Sequence, residues 1–278
     1  TTVKRTLTAT SPTCTYTTAD QTTDFGSAQT TIYAKVYQMS SVVGRGYPTT
    51  CSLVSAGNDP YFESVVLLLS MQGLNNGVLF PDIKGHSASV NGNAKTVTSN
   101  YPIGLGSSAS FDGVGDRVSY SGADLALGTG DCTIEFWLYP VTGGGGDGYG
   151  RLLQIGSDAA SGGLYITRNA SEIPMAFLVT WYTAGAYVQV VDYTPSYVAD
   201  NTWHYFQLVR ASGVWSLYVN GSLYATKTPA TVTLTGTVVY IGSNNTATLS
   251  YNGGIGPVRV TKVARTDHSV PTAQFPTY

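Results

Sequence analysis

Glu135 is the only acidic residue in the strand-like stretch 133–139, and its position there makes it a candidate for a catalytic acid. Hydrolysis of a glycosidic bond uses two carboxylates, about 5–5.5 Å apart for retention of configuration or about 6.5–9.5 Å apart for inversion. The chain has only three glutamates, Glu63, Glu135 and Glu172. A strand directs residues i and i+2 to the same face, and Trp137 occupies that second position. Glu135 therefore has no acidic partner beside it, and the sequence predicts a protein that is not an enzyme.

No other catalytic pattern is present in the sequence. His86, His204 and His268 are scattered, and His204 stands beside Trp203 in a predicted strand, which favours a packed or hydrogen-bonded side chain. The Gly-x-Ser-x-Gly, His-Glu-x-x-His and Cys-x-x-Cys patterns do not occur.

The three cysteines, Cys14, Cys51 and Cys132, are too few for a disulfide scaffold. A Cys14–Cys51 bridge and three free thiols in a reducing cytoplasm are the two alternatives.

Two groups of side chains are candidates for a ligand-binding surface, because a glycan site needs aromatic rings flanked by planar hydrogen-bonding groups. The groups are Glu135, Trp137 and Tyr139 on one strand face, and Trp181, Tyr182 and Tyr187 around a Thr-Ala-Gly turn. In the alternative interpretation, Trp137 belongs to a core between two sheets and the tyrosines coat an assembly, since tyrosine is enriched at subunit interfaces. Both interpretations stay open at this point.

The composition limits the kinds of partner. Of 278 residues only 11% are charged, the net charge is −2 and aromatic residues make up 12%, whereas soluble domains have roughly 25% charged residues. Low charge with many Thr, Ser, Asn and Tyr residues is typical of extracellular or particle-bound β proteins. The sequence contains no run of basic residues that would indicate nucleic-acid binding. The longest aliphatic run, Val65 to Leu69, is too short to span a membrane.

The elements that must position these side chains are β-strands. Trp215, Leu217 and Val219 alternate with polar residues, and Asn220-Gly221 can adopt the positive φ angles of a type I′ turn. The stretch 133–139 alternates in the same way, with Glu135, Trp137 and Tyr139 on one side. Nearly a dozen such segments separated by turn residues predict an all-β sandwich or barrel.

Residues 1–60 differ from residues 61–278, and we predict a domain boundary near Asn58-Asp59-Pro60. The first segment is rich in threonine and poor in aliphatic residues, so it is predicted to be extended, with strands at 31–39 and 51–54. So few apolar groups cannot readily bury an independent core. We therefore expect this segment to be stabilised by a partner, by oligomerisation or by docking on the larger domain.

Several motifs of the larger part, taken in order, resemble those of laminin-G-like domains of the concanavalin A-like lectin/glucanase superfamily. They are FDG, TIEFWLYP, LLQIGS, TWHYFQLVR, WSLYVNGSLY, VYIGS and GGIGPVRVTKVAR. The resemblance covers about residues 64–278 and implies a concanavalin A-like jelly-roll sandwich of two antiparallel sheets. DPYFESVVLLLSMQG and VRVTKVARTDHSVPTAQFP also resemble modules in structural proteins of tailed bacteriophages, and AKVYQMSSVVGRGYP is loosely similar to segments that precede them.

The resemblance also implies candidate chemistry. Glucanases of the superfamily carry a Glu-x-Asp-x-x-Glu strand, but the second and third acids are replaced here by Trp137 and Pro140. Many laminin-G-like modules bind calcium at the rim of the sandwich, so Asp112 and Asp116 are candidate ligands of a calcium site, the only cofactor considered, with Asp124 or Asp131 nearby. The alternative is that these carboxylates cap turns.

The expected function is that of a non-enzymatic structural or adhesion protein of a bacteriophage virion: a capsid decoration, head fibre or tail fibre protein. It would be made in the host cytoplasm, held to virion proteins by its N-terminal segment, and would present the sandwich to a host-surface glycan or a protein. By analogy alone the chain is expected to form a homo-oligomer such as a trimer. The alternative is a secreted or cell-surface carbohydrate-binding module. We expect neither nucleic-acid nor membrane binding.

Overall fold

The computed structural model describes residues 3–9, 16–27, 29, 31–54, 59–102, 104–141, 149–158, 160–169, 176–191 and 198–277. Contacts between residues divide the chain into two units, Thr1–Asp59 and Pro60–Thr277. Cys14 lies outside the described residues, and so does the side chain of Cys51, so a Cys14–Cys51 bridge and free thiols both stay open as alternatives. Cys132 is a buried free thiol.

The first unit contains one helix and four short strands, namely α1 (Thr18–Phe25), β1 (Thr31–Val36), β2 (Met39–Ser40), β3 (Gly44–Arg45) and β4 (Thr49–Val54). β1 pairs with β4 and β2 with β3, both antiparallel. The prediction of extended chain at residues 18–25 is wrong. In α1 the Thr17 hydroxyl accepts a hydrogen bond from Asp20 N and the Asp20 carboxylate accepts one from Thr17 N. Caps rather than apolar periodicity therefore define this polar helix.

The second unit contains fifteen strands among its described residues. They are β5 (Val65–Leu69), β6 (Ala88–Asn91), β7 (Lys95–Val97), β8 (Ser108–Asp112), β9 (Arg117–Ser121), β10 (Cys132–Pro140), β11 (Tyr149–Ile155), β12 (Gly163–Asn169), β13 (Ala176–Thr183), β14 (Ala186–Val191), β15 (His204–Ala211), β16 (Val214–Val219), β17 (Ser222–Lys227), β18 (Val238–Ile241) and β19 (Asn252–Thr261). Short 3-10 turns lie at Phe62–Ser64 and Ala123–Leu125. No helix in the described part of the chain has the length and hydropathy needed to cross a membrane.

The strands form two antiparallel sheets. The eight-stranded sheet has the order β17-β16-β15-β10-β19-β8-β7, with β5 also paired to β19, and the seven-stranded sheet has the order β14-β13-β12-β11-β18-β9-β6. Apolar side chains from both sheets fill the space between them, as in a sandwich. The predicted sandwich of two antiparallel sheets is confirmed.

The alternation along individual strands explains the packing. On β10, Ile134, Phe136 and Leu138 point into the core between the sheets, as predicted. On β16, Trp215, Leu217 and Val219 do the same, also as predicted. Asn220 (φ 51°) and Gly221 (φ 79°) supply the positive φ angles of the turn between β16 and β17.

The outer face of the eight-stranded sheet is also covered. A second apolar cluster on that face consists of Val65, Leu68, Leu105, Trp137, Tyr205 and Phe275. Phe275 belongs to the irregular C-terminal segment, so this segment covers the strands that carry Trp137 and Tyr205. A sheet covered on both faces explains why β15 is apolar on both sides.

Two strands of the second unit, β6 and β7, were not predicted from the sequence. They lie in the polar, glycine-containing stretch before Gly106. β6 is exposed along its whole length and pairs only at the edge of its sheet with β9. Strands this short and polar carry no periodic apolar signal, so only pairing with a neighbour defines them.

Candidate functional site

A tyrosine pair lies at the β13–β14 hairpin. Tyr182 and Tyr187 are opposite each other in the antiparallel register, and their ring centroids are 4.9 Å apart with an interplanar angle of 70°. Ala184 (φ 48°) and Gly185 (φ 81°) form the tight turn between the strands. The Thr-Ala-Gly turn of the sequence therefore brings these two predicted residues together.

Tyr165 of β12 completes a group of three that we call the tyrosine cluster: Tyr165, Tyr182 and Tyr187. The rings of Tyr165 and Tyr187 meet edge to face at 5.4 Å. Gly163 stands opposite Tyr182, and a Cβ atom at this position would overlap the Tyr165 hydroxyl. Because Gly163 has no side chain, the Tyr165 ring can occupy the space next to it.

Tyr165 was not identified from the sequence. Its alternation with Leu164 and Ile166, which are both buried in the core between the sheets, indicates that it points outward from β12. The sequence does not reveal that β12 is the neighbour of β13, so the meeting of Tyr165 and Tyr187 needed the tertiary structure.

The three side chains of the tyrosine cluster differ in solvent exposure. Tyr165 is fully buried, Tyr182 is partly exposed and Tyr187 is 50% exposed. The guanidinium of Arg151 lies 4.9 Å from the Tyr165 ring centroid. Burial raises the pKa of Tyr165 above its usual value, with smaller contributions from Tyr187 and Asp158. Tyr165 is therefore a neutral support beneath an accessible Tyr187 ring.

Planar polar groups flank the cluster at the end of β11. The Tyr165 hydroxyl donates to Ser157 O at 2.7 Å, which joins the cluster to the Ser157–Asp158 turn. Asn245 Oδ1 accepts from Asp158 N at 2.8 Å and from Gln154 Nε2 at 3.3 Å. Asn244 Nδ2 donates to Asp158 Oδ2 at 2.6 Å.

Two acceptor oxygens of this polar rim are buried without a hydrogen-bond partner in the part of the chain that the structure describes. They are Asp158 Oδ1 and Gln154 Oε1. Buried polar atoms are normally paired. Because both oxygens are buried, an enclosed water can be their partner, whereas a ligand at the surface cannot reach them. None of the rim residues was singled out from the sequence, because their roles depend on the meeting of two distant loops.

Trp181, the third predicted residue of this group, lies on the opposite face of β13. It is buried in the core between the sheets rather than beside Tyr182. Adjacent strand residues point to opposite faces, so Trp181 and Tyr182 cannot share one surface. The grouping of Trp181 with the two tyrosines is therefore corrected.

Glu135 of the other predicted group is 1% exposed and is enclosed by hydrogen-bond donors. Oε1 accepts from Arg259 Nε at 2.6 Å and lies 3.3 Å from Arg265 Nε. Oε2 accepts from the Tyr205 hydroxyl and, at 3.1 Å, from Gln207 Nε2. This carboxylate holds strands and the C-terminal segment together and does not face solvent.

Trp137 and Tyr139 do not form an open surface with Glu135. Trp137 belongs to the second apolar cluster, with its ring 5.5 Å from that of Tyr205. Tyr139 is partly exposed and lies 5.4 Å from Trp203, whose Nε1 donates to Asn100 Oδ1 at 2.8 Å. The interpretation of Trp137 as core between the sheets is therefore corrected. The predicted surface of Glu135 and Trp137 is nearly closed, since these residues are 1% and 9% exposed.

Asp112 and Asp116 cap the β8–β9 turn. Asp116 is fully buried, and its two oxygens accept from Asn93 N at 2.6 Å and Asp112 N at 3.0 Å. Asp112 accepts from Val114 N at 2.8 Å. These hydrogen bonds agree with the alternative interpretation, in which the two carboxylates cap a turn.

Asp124 and Asp131, the other two acidic residues considered as calcium ligands, each contact a different residue. Asp124 is 2.9 Å from His86 Nε2, and Asp131 accepts from Ser212 N at 2.7 Å. Across the described ranges, no group of three or more His, Cys, Asp or Glu side chains is arranged to hold a metal ion.

Comparison with solved structures shows the same fold in toxin binding domains. The receptor binding domain of botulinum neurotoxin type G aligns with a TM-score of 0.55 at 11% identity over 74% of this chain and 50% of that one. The binding domain of botulinum neurotoxin DC in complex with SialylT gives 0.54 at 14% identity over 74% and 49%. The binding domain of Paraclostridial Mosquitocidal Protein 1 gives 0.55 at 10% identity over 74% and 51%. This chain thus spans about half the length of these structures.

No curated protein matches the chain. The family model Laminin_G_3, described as concanavalin A-like lectin/glucanases superfamily, matches residues 111–271, which is more than half of the sequence. The matched region runs from β8 to beyond β19 and includes the tyrosine cluster, its polar rim and the Glu135 network. The chain therefore belongs to the Laminin_G_3 family of the concanavalin A-like lectin/glucanase superfamily.

Proposed function

We propose that the Pro60–Thr277 unit is a non-catalytic binding module that contacts a glycan through the tyrosine cluster and its polar rim. The observation that carries this proposal is the half-exposed Tyr187 ring, held by Tyr165 and Tyr182 beside the Asp158 turn. Sugar rings pack their C–H faces on aromatic rings while their hydroxyls bond to planar polar groups. The carboxylate of Asp158 and the amide of Asn245 are planar polar groups of the required kind, and both residues are partly exposed.

Known proteins with this fold recognise glycans. The binding domain of botulinum neurotoxin DC was solved in complex with SialylT, and cell entry of botulinum neurotoxin type C depends on two ganglioside molecules. These statements concern the toxins. For the present chain they support the choice of glycans as the first class of ligand to test.

The state of Glu135 supports a non-catalytic role. A glycosidase needs one carboxylate that can protonate the leaving group and a second that attacks or activates water. The carboxylate of Glu135 is enclosed by Arg259, Arg265, Tyr205 and Gln207. A carboxylate that is 1% exposed and enclosed by these four side chains does not reach a substrate.

The finer proposal is that this module belongs to the virion of a bacteriophage, as a capsid decoration, head fibre or tail fibre protein. Its support is the resemblance of the segments that open and close the second unit to modules of phage structural proteins. We propose that the first unit binds virion proteins and takes part in a homo-oligomer such as a trimer. Seven large apolar side chains in the described part of that unit are more than half exposed: Val3, Tyr33, Val36, Met39, Val42, Val43 and Tyr47.

The second candidate is a secreted or cell-surface carbohydrate-binding module. The same tyrosine cluster supports this candidate. Mass spectrometry of purified virions separates the two. The chain is expected among the particle proteins, and its absence from them would contradict the virion proposal while leaving glycan binding open.

A glycan array probed with the full chain tests the binding proposal. Tyr187→Ala is expected to weaken binding by about threefold to tenfold, because a stacked aromatic pair contributes about 0.5–1.5 kcal/mol. Tyr101→Ala is the matched control, since Tyr101 is 40% exposed and lies outside the cluster. Equal binding by both variants would refute the cluster as the site, and a protein that binds no glycan would favour protein contact instead.

A further inference from the structure

The loop 74–79 of the second unit exposes three large aliphatic side chains within six residues. Leu74 is 85% exposed, Val78 58% and Leu79 79%. The loop contains no charged residue. By these fractions the three side chains offer on the order of 400 Å² of apolar surface, and a patch of that size on a monomer is often an interaction site.

The backbone of the loop is fixed to strand β7. Asn76 N donates to Thr96 O at 2.8 Å, and Thr96 N donates to Gly77 O at 2.7 Å. The hydroxyl of Thr96, a fully buried residue, donates to Leu74 O at 2.6 Å. A Cβ atom at Gly77 would lie 2.8 Å from that hydroxyl, so the loop packs closely on β7. The aliphatic side chains are therefore presented on a fixed backbone, which lowers the entropic cost of covering them.

The residue after the loop shows where the loop lies in the sandwich. Phe80 is 2% exposed and packs in the core between the sheets. Its carbonyl accepts from the Tyr120 hydroxyl at 2.8 Å, and Tyr120 stands opposite Ala88 of β6. The loop thus lies at the margin where β7 ends the eight-stranded sheet and β6 ends the seven-stranded sheet.

β6 leaves an open backbone edge at this margin. Its four residues are all exposed, and in the described part of the chain it pairs only with β9. Charged side chains, proline or a bulge commonly prevent an edge strand from pairing with another chain. The sequence Ala88-Ser89-Val90-Asn91 has no charge and no proline, and its register with β9 has no shift. β6 is therefore able to pair with a further strand, although its short length limits the number of hydrogen bonds.

We propose that two copies of the chain associate through this margin around a two-fold axis, with the 74–79 loops packed on each other and the β6 strands side by side. A two-fold axis brings the same surface of both copies together, and an uncharged surface meets its own copy without like-charge repulsion. The loops alone would bury on the order of 800 Å², below the roughly 1,200 Å² of a stable specific interface, so the β6 strands complete it. This inference goes beyond the proposed function, because it places an interface between copies on the second unit.

The test is sedimentation analysis of the full chain from roughly 10 µM to 1 mM, a range that covers weak association. The mass of the wild type is expected to double as the concentration rises. Leu74→Glu and Leu79→Glu are each expected to weaken this step by about tenfold or more, because carboxylates would be buried against each other at the axis. Leu223→Glu is the matched control, since Leu223 is 56% exposed on β17, at the opposite edge of the eight-stranded sheet.

Two results would overturn the proposal. One is a wild type whose mass does not double, which would leave the margin for a different protein. The other is doubling in both loop variants at the same concentration as in Leu223→Glu. All three substitutions are at exposed positions, so the variants are expected to unfold at the same urea concentration as the wild type.

The trimer proposed for the first unit gives a different result in the same experiment. If that trimer forms, the wild type consists of trimers joined in pairs, and the loop variants still halve its mass. A mass that falls in Val43→Glu, at a position 82% exposed in the first unit, but stays unchanged in both loop variants would refute the margin and leave the trimer standing.

Amide hydrogen exchange tests the part played by β6. Exchange in Ala88–Asn91 is expected to slow as the concentration of the wild type rises, because the outward N–H groups of β6 become paired. The same segment of Leu79→Glu is expected to show no such change, and β17, the edge strand on the other side, is the internal control. Exchange in β6 that does not depend on the wild-type concentration would overturn the proposal.

Discussion

Tyr182 and Tyr187 face each other across one hairpin, with ring centroids 4.9 Å apart and planes at 70°. This edge-to-face geometry is the arrangement that aromatic pairs favour. The third ring, Tyr165, comes from the next strand and supports Tyr187 from 5.4 Å away. The accessible tyrosine is thereby held in one orientation before any ligand arrives, which lowers the entropic cost of binding.

The support from Tyr165 depends on Gly163. Gly163→Ala is expected to destabilise the protein by about 1–3 kcal/mol, because the new methyl group would overlap the Tyr165 hydroxyl. Urea unfolding measures this change. Gly130→Ala is the control, since a Cβ atom there meets nothing within 4 Å, and its effect is expected to stay within about 0.5 kcal/mol. Equal stability of the two variants would show that the Tyr165 ring is free to move aside.

Glu135 is expected to be essential for stability and dispensable for ligand contact. Glu135→Gln keeps the shape of the side chain but removes the charge that faces Arg259 and Arg265, so we expect a loss of about 3–5 kcal/mol. Denaturant unfolding measures it. Glu63→Gln, at an exposed position, is the control. A loss below about 1 kcal/mol at Glu135 would mean that the ion pairs contribute little net stability.

His86 makes part of the stability pH-dependent. Its Nδ1 lies 2.5 Å from Asp82 and its Nε2 2.9 Å from Asp124. Desolvation by burial opposes the charged ring, but the hydrogen bonds to Asp124 and Asp82 outweigh it and raise the pKa of His86. A raised folded-state pKa stabilises the protein fully below the unfolded value of about 6.5, and the contribution is lost as pH rises through the folded-state pKa.

The measurement is the difference in unfolding free energy between the wild type and His86→Gln as a function of pH. This difference is expected to be largest near pH 5.5 and to shrink above neutral pH. His204 and His268 have pKa values lowered by burial and act in the opposite direction, but they are present in both proteins and cancel. A difference that grows with rising pH would contradict the assignment.

Trp215 tests the orientation of the β15–β16 hairpin. The residue is 1% exposed in the core between the sheets, so Trp215→Ala is expected to cost about 3–5 kcal/mol. Val214→Ala, at a position 39% exposed, is expected to cost less than about 1 kcal/mol. Urea midpoints of the two variants give the comparison. A loss below about 1 kcal/mol for Trp215→Ala would place the ring outside the core.

Strand alternation and turn chemistry were sufficient to predict much of the second unit. The two faces of β10 and the positive φ angles at Asn220 and Gly221 follow directly from residue order. The prediction failed at α1, where side-chain caps rather than apolar periodicity define the helix, and at β6 and β7, which carry no apolar pattern.

The candidate site was harder to predict than the fold. The pairing of Tyr182 with Tyr187 is local, because a tight turn sets the register of its hairpin. Glu135 and Trp137 were assigned to the correct face of β10, but the sequence does not show that the C-terminal segment covers that face.

The sequence by itself determined the strand periodicity, the tight turns and the absence of a paired catalytic acid beside Glu135, since each of these depends on residues a few positions apart. Only the tertiary structure decided which outward-facing side chains meet. Tyr165 reaches Tyr187 because separate strands become neighbours in a sheet. Strand order is fixed by the burial of the whole apolar core rather than by any one segment, so contacts between distant strands cannot be read from local spacing.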